Sequence, residues 1–379
     1  MNGKCPSEES TPVCGPASAR PEGLKYRPDW PRVRDRLTAL WAGCNIDRPC
    51  IDIRTPKQSG FPWPARPADL EDLYFDPGYT EQYWTALFEH THFLGEAVPT
   101  GPFFMGGYAL GCGEAVTFAP DTVWHGRLMD SIDGPIRWRP GPDDPWRVKL
   151  DRLIRHLTAA APGKFLVGGA GQVPVNDLLP LIGGVGEFLA DMGRDVELCR
   201  RRLEELWPAW HENMRHYLDM MLAAGQGCVL GWPGIWHPDV LLSTQSDMSC
   251  MISAHMFDRY VMRELDLLGE RYGYVWYHLD GSGAVRHLPA LLSRPYIKAI
   301  QYVPSCDDPP NGPGLMHIYR QVQAAGRCLD IQAPWENVEY LIRRLRPEGL
   351  LLRTCAPSLE AADALLENAA KWSGSDLTR

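Results

Sequence analysis

The sequence predicts an α/β protein, a (β/α)8 barrel (TIM barrel) with an elaborated N-terminal half. Three observations predict it. From Lys164 onward, short apolar runs alternate with stretches of helical periodicity. Such alternation means βαβ units on a parallel sheet. Eight strand candidates can be counted, which suits eight βα units better than an open doubly wound sheet, the remaining alternative. The length of 379 residues accommodates one barrel of about 250 residues with additions.

Residues 1–25 are rich in turn formers without periodicity and read as a disordered tail. Residues 26–379 read as a single barrel domain with an N-terminal helical extension. Asp29 suits an N-cap and Pro31 the first turn of a helix running to about Trp41. Cys50–Arg54 and Glu96–Phe104 are the first two strand candidates. The Pro-rich segments Phe61–Pro77 and Arg137–Asp144 read as long connections. The later strand candidates are Phe165–Gly168, Cys228–Trp232, Tyr274–Leu279, Ile297–Val303, Cys328–Gln332 and Leu350–Cys355. Helical periodicity covers Val196–Ala224, Ala254–Tyr272, Ala284–Ser293, Leu315–Ala325, Asn337–Arg346 and Leu359–Trp372.

Composition narrows the function. The chain has 38 Lys+Arg against 47 Asp+Glu, a net charge of -9. That disfavours a nucleic acid or anionic membrane as partner, since both need a basic face. No run reaches the ~18–20 apolar residues of a membrane span. The first twenty residues lack the apolar core of a secretory signal. Eleven cysteines, an odd number scattered along a long chain, suit a cytoplasmic protein with mostly reduced thiols. Neither a GxGxxG turn after a strand nor a GxxxxGK[ST] loop is present.

In a barrel enzyme the chemistry sits at the C-terminal ends of the strands. Alternation puts His278 and Asp280 on one face of their strand. Gln301 lies on the next. Asp330 and Gln332 share a face, as do Arg353 and Cys355. Four successive strands thus aim polar groups at the mouth, where only pairing or use would keep them. His278, Asp280 and Cys355 are candidate metal ligands, and zinc accepts N, O and S donors. The plainer alternative is a hydrogen-bonded histidine and a core cysteine. Arg353 with Asp330 reads either as a substrate clamp or as a buried brace. Trp232, Trp236 and His237 follow the fourth strand candidate and could wall the site or simply pack a loop.

Several segments together resemble the uroporphyrinogen decarboxylase-like superfamily. They are Ser246-Asp247-Met248-Ser249, Met251-Ile252-Ser253 with Met256-Phe257, Tyr277-His278-Leu279-Asp280-Gly281, and Gly326 before its strand; Asp121-Thr122-Val123-Trp124 resembles one branch. The resemblance spans roughly Trp30 to Trp372 and implies a (β/α)8 barrel. The decarboxylase branch has an Arg-rich N-terminal motif and a Phe-Ser-Asp-Ile context, both missing here. Arg32, Arg34 and Arg36 are spaced as a solvated helix face.

The other branch comprises zinc methyltransferases that work with a corrinoid protein. Their ligands follow a His-X-Cys pattern with a distant second Cys. His278 and Cys355 match, while Asp280 stands at the first Cys. The resemblance therefore implies zinc on His278, Asp280 and Cys355, with Cys250, Asp247 or Glu336 as substitutes for the middle ligand. It implies methyl transfer between a small methylated compound, or a thiol or folate acceptor, and cobalamin on a separate corrinoid protein. Asp247, Asp280, Gln332 and Arg353 are the expected catalytic groups. Trp232 and Gln301 are expected at the cofactor. Zinc would activate a thiolate or polarise the donor heteroatom. Two other classes compete: a cofactor-free decarboxylase or lyase with His278 as acid and Arg353 as anchor, and a non-enzymatic scaffold.

Overall fold

The structure, a computed structural model, describes residues 23–45, 47–169, 172–224 and 234–377. Most of the expected tail and the strand candidate at 228–232, Trp232 included, lie outside the described residues. Leu24 is already buried.

The first helix, α1 (Trp30–Trp41), has Pro near its start and buries Trp30, Val33, Leu37, Leu40 and Trp41. That spacing is one stripe of a helix. Asp29 holds the N-cap position without a side-chain cap bond. Strand β1 (Cys50–Pro56) follows, then α2 (Asp72–Phe75), α3 (Pro77–Glu89) and β2 (Thr91–Gly95). A two-stranded hairpin, β3 (Val116–Phe118) and β4 (Val123–His125), precedes four helices: α4 (Pro145–Ala160), α5 (Val175–Gly183), α6 (Val185–Arg194) and α7 (Val196–Ala223). Then come β5 (Leu242–Thr244), α8 (Ala254–Met256), a π-helical turn Phe257–Val261, α9 (Met262–Tyr272) and β6 (Val275–Asp280). The chain ends with α10 (Leu288–Leu292), β7 (Ile297–Val303), α11 (Met316–Ala324), β8 (Cys328–Gln332), α12 (Trp335–Arg344), β9 (Leu350–Cys355) and α13 (Leu359–Trp372).

The protein is α/β. Seven strands form one sheet in the order β2-β1-β9-β8-β7-β6-β5. All neighbours pair in parallel except β2, which runs antiparallel to β1. Among the described residues this sheet is open, with β2 and β5 at its edges. Two expected strands shrink to one contact. Glu96–Phe104 and Phe165–Gly168 share a single parallel bridge, Thr100 with Leu166. Pro99 and Pro102 remove backbone donors from the first of these runs. The strand beside β6 is the short Leu242–Thr244, inside what the sequence reads as a loop.

The two faces of the sheet differ. Tyr277, Leu279, Ile300, Tyr302, Leu329, Ile331, Leu350 and Leu352 pack in the main core with the helices. On the other face, Cys50, Trp276, Ala299, Cys328 and Leu351 form a second apolar cluster against α1, joined by Val98 and Leu166. This cluster is a floor beneath the C-terminal strand ends. A third cluster, with Phe75, Phe88, Phe93 and α4, holds the N-terminal elaboration.

Candidate functional site

Above the floor, the same sheet face becomes polar. The register sets His278 beside Gln301, Gln301 beside Asp330, Gln332 beside Arg353, Asp52 beside Arg353 and Arg54 beside Cys355. Paired residues of parallel strands point to the same side. One polar band thus crosses five strands, from β6 to β1. It lines a cavity of about 860 Å³ with His278, Gln301, Gln332, Arg353, Cys355, Asp52 and Arg54 in its wall.

Five of the expected site residues are therefore brought together: His278, Gln301, Gln332, Arg353 and Cys355. Asp280 ends β6 on the same face but is exposed and outside the cavity wall. Asp247 is also exposed, although its carboxyl lies in the electrostatic field of both His278 and Asp280. Desolvation by the surrounding protein raises its pKa, His278 pulls it back, and Asp280 raises it further. Its backbone N–H donates to buried Asp177 at 2.9 Å. Trp236 and His237 do not wall the mouth. Trp236 packs edge-on against Trp30 in the floor, and its carbonyl accepts from Trp41 Nε1 at 2.8 Å. His237 Nδ1 bonds within its own loop, to Asp239.

The chemistry of the band is set by its pairings. His278 Nδ1 donates to Gln301 Oε1 at 2.6 Å. That fixes the ring and its tautomer, with the Nδ1 proton on the Gln301 side. Arg353 is a brace: Nε and Nη2 donate to the two oxygens of Asp330 at 2.8 and 2.7 Å. Burial raises the Asp330 pKa and Arg353 lowers it. Arg54 forks onto Asp52 with two bonds of 3.1 Å. Sequence reasoning missed Asp52 and Arg54. The alternation of Cys50-Ile51-Asp52-Ile53-Arg54 carried the signal.

Zinc was expected on His278, Asp280 and Cys355. His278 and Cys355 share the cavity, but among the described residues no three His, Cys, Asp or Glu side chains gather as a metal-binding group. The described side chains do not fit a zinc cage. No helix among the described residues is long and apolar enough to cross a membrane. No protein-family model matches the chain, and no curated protein matches it significantly.

Proposed function

We propose that the protein is a (β/α)8-barrel enzyme of the uroporphyrinogen decarboxylase-like superfamily. It moves a methyl group between a small molecule in the cavity and cobalamin carried by a separate corrinoid protein. The barrel reading is supported by Val98 and Leu166, which join the floor cluster from outside the seven-stranded sheet.

One observation carries the choice of branch. The two arginines of the cavity are each held by their own carboxylate, Arg54 by Asp52 and Arg353 by Asp330. The wall therefore offers balanced charge, which suits a small substrate of low charge. A tetrapyrrole with many carboxylates would need surplus cations. Methyl transfer to reduced corrinoid breaks a carbon–heteroatom bond and leaves the electron pair on oxygen or nitrogen. His278, entering the step as the doubly protonated imidazolium, gives that atom its Nε2 proton and is left as the neutral Nδ1–H ring that Gln301 holds.

The test uses chemically reduced free cobalamin as acceptor with a panel of small methyl ethers and methylamines. Methylcobalamin should form, as read by visible absorbance, and His278→Ala should abolish it. Decarboxylation of uroporphyrinogen without any methyl transfer would overturn the reading. Metal analysis of wild type, His278→Ala and Cys355→Ala runs alongside.

A second reading is a cofactor-free decarboxylase or lyase with His278 as acid. The orientation of His278 by Gln301 suits that role as well. The engagement of Arg353 by Asp330 weighs against Arg353 as its substrate anchor.

A further inference from the structure

We propose that the cavity continues into an aromatic groove that binds the body of the substrate, so that the substrate is a molecule with a flat, uncharged aromatic body and a compact polar reacting end. This deepens the enzyme reading above and rests on it.

The geometry is a chain of three compartments. The polar cavity shares Arg54 and Cys355 with a second cavity of about 480 Å³. That second cavity shares Trp63 and Trp84 with a third, also about 480 Å³. The path thus starts at the polar strand ends of β9 and β1 and runs outward past α3.

Its walls change character at Arg54. This guanidinium is forked onto Asp52 on the polar side and lies 5.7 Å from the centroid of Phe93 on the other. Beyond it, Leu87, Phe88 and Phe93 line the throat with the two tryptophans. Flat ring faces recur. Trp63 stacks on His90 with centroids 5.0 Å apart and 11° between planes, and Tyr83 lies 5.6 Å from Trp63. Rings of this kind gain most from offset or edge contact with another ring.

Two features make the groove a built one. A Cβ at Gly101 would sit 2.1 Å from the Trp84 ring, so glycine there lets the indole lie against the backbone. The Pro-rich segment after β1 is pinned over α3: Lys57 N–H donates to the His90 carbonyl at 2.8 Å, and His90 Nε2 meets the Phe61 carbonyl at 2.9 Å. The segment nevertheless leaves aromatic surface open. Trp63 is 49% exposed, Tyr83 38% and Phe61 37%. Clustered exposed aromatics beside a polar site mark a surface that a ligand covers. At the outer end, Arg66 and Asp121 line the third cavity with opposite charges, which accommodates a polar but uncharged tail.

The test is calorimetric and needs neither cobalamin nor turnover. Phenol, 4-ethylphenol and 4-butylphenol are titrated into the full chain. Affinity should rise about fourfold per added methylene, as burial of each one predicts. Trp63→Ala removes the roof and Leu87→Trp fills the throat; each should flatten the series at an unchanged melting temperature. Equal binding of phenol and 4-butylphenol by wild type overturns the proposal. So does an undiminished gradient in both folded variants. A gradient found with no methyl transfer from any donor keeps the groove and rejects the methyltransferase reading alone.

Discussion

Arg353 and Asp330 form a two-bond ion pair across β9 and β8, with the carboxylate side chain only 2% exposed and the guanidinium 12%. The pair lies between the apolar floor and the open mouth. Its two bonds turn an arginine that reads in the sequence as a substrate clamp into part of the scaffold.

The first prediction follows from that burial. Arg353→Ala leaves Asp330 buried without its counter-charge, which costs about 3–5 kcal/mol. The double variant Asp330→Leu/Arg353→Met removes both charges and should recover most of that loss. Urea denaturation of the three proteins measures it. Equal stability of Arg353→Ala and wild type would show that the pair contributes nothing.

The second concerns the His278 tautomer. Gln301 Oε1 accepts from Nδ1, so the neutral ring should carry its proton there. Nitrogen-15 correlation spectra of the histidines should show His278 as the Nδ1–H form. Gln301→Leu should lose that form and about 10–100-fold of the activity, the usual cost of an orienting partner. An Nε2–H tautomer in wild type would reject the assignment.

These pairs show what sequence can and cannot carry. Strand alternation is a local rule, so the shared face of His278, Gln332, Arg353 and Cys355 is legible in the sequence. The same rule reaches Asp52 and Arg54, but they sit in the irregular first half, where no βα alternation marks the strand as part of the sheet. Strand β5 is only Leu242–Thr244, too short for a period-two pattern to stand out. Helix α5 buries nearly every residue and contains Pro180, so it shows neither an amphipathic stripe nor an unbroken helical run. The contact of Asp247 with Asp177 joins residues far apart in the chain, and no local pattern encodes it.

A third prediction tests the junction that seats α5. Glu264 of α9 is fully buried and accepts from Val175 N–H, Asn176 N–H and Asn176 Nδ2 at 2.9, 2.7 and 2.8 Å. Glu264→Ala strands three buried donors at roughly 1–3 kcal/mol each before relaxation. A loss of about 3 kcal/mol or more is expected by urea denaturation. Glu264→Gln keeps an acceptor and should lose less. Equal losses in the two variants would mean that packing volume, not hydrogen bonding, holds the junction.

The last prediction is a pH dependence from Asp177. Burial pushes its carboxyl well above the usual range, the nearby Asp247 carboxylate pushes it further, and the Asp247 N–H bond pulls it partly back. In the unfolded chain the group ionises near 3.8. The folded protein therefore holds a proton that the unfolded chain has released. Stability from this group is whole below about 3.8 and falls as pH rises through the raised folded value, by at most about 1.4 kcal/mol per pH unit. Asp177→Asn is neutral throughout and still offers an oxygen to the Asp247 N–H. Its stability relative to wild type should therefore improve steadily from pH 4 upward, then level off once folded Asp177 ionises. Denaturation curves for both proteins between pH 4 and 8 decide it. Parallel curves over that whole range would mean that Asp177 ionises in the folded protein as readily as in water, and that its burial is relieved by a contact still to be found.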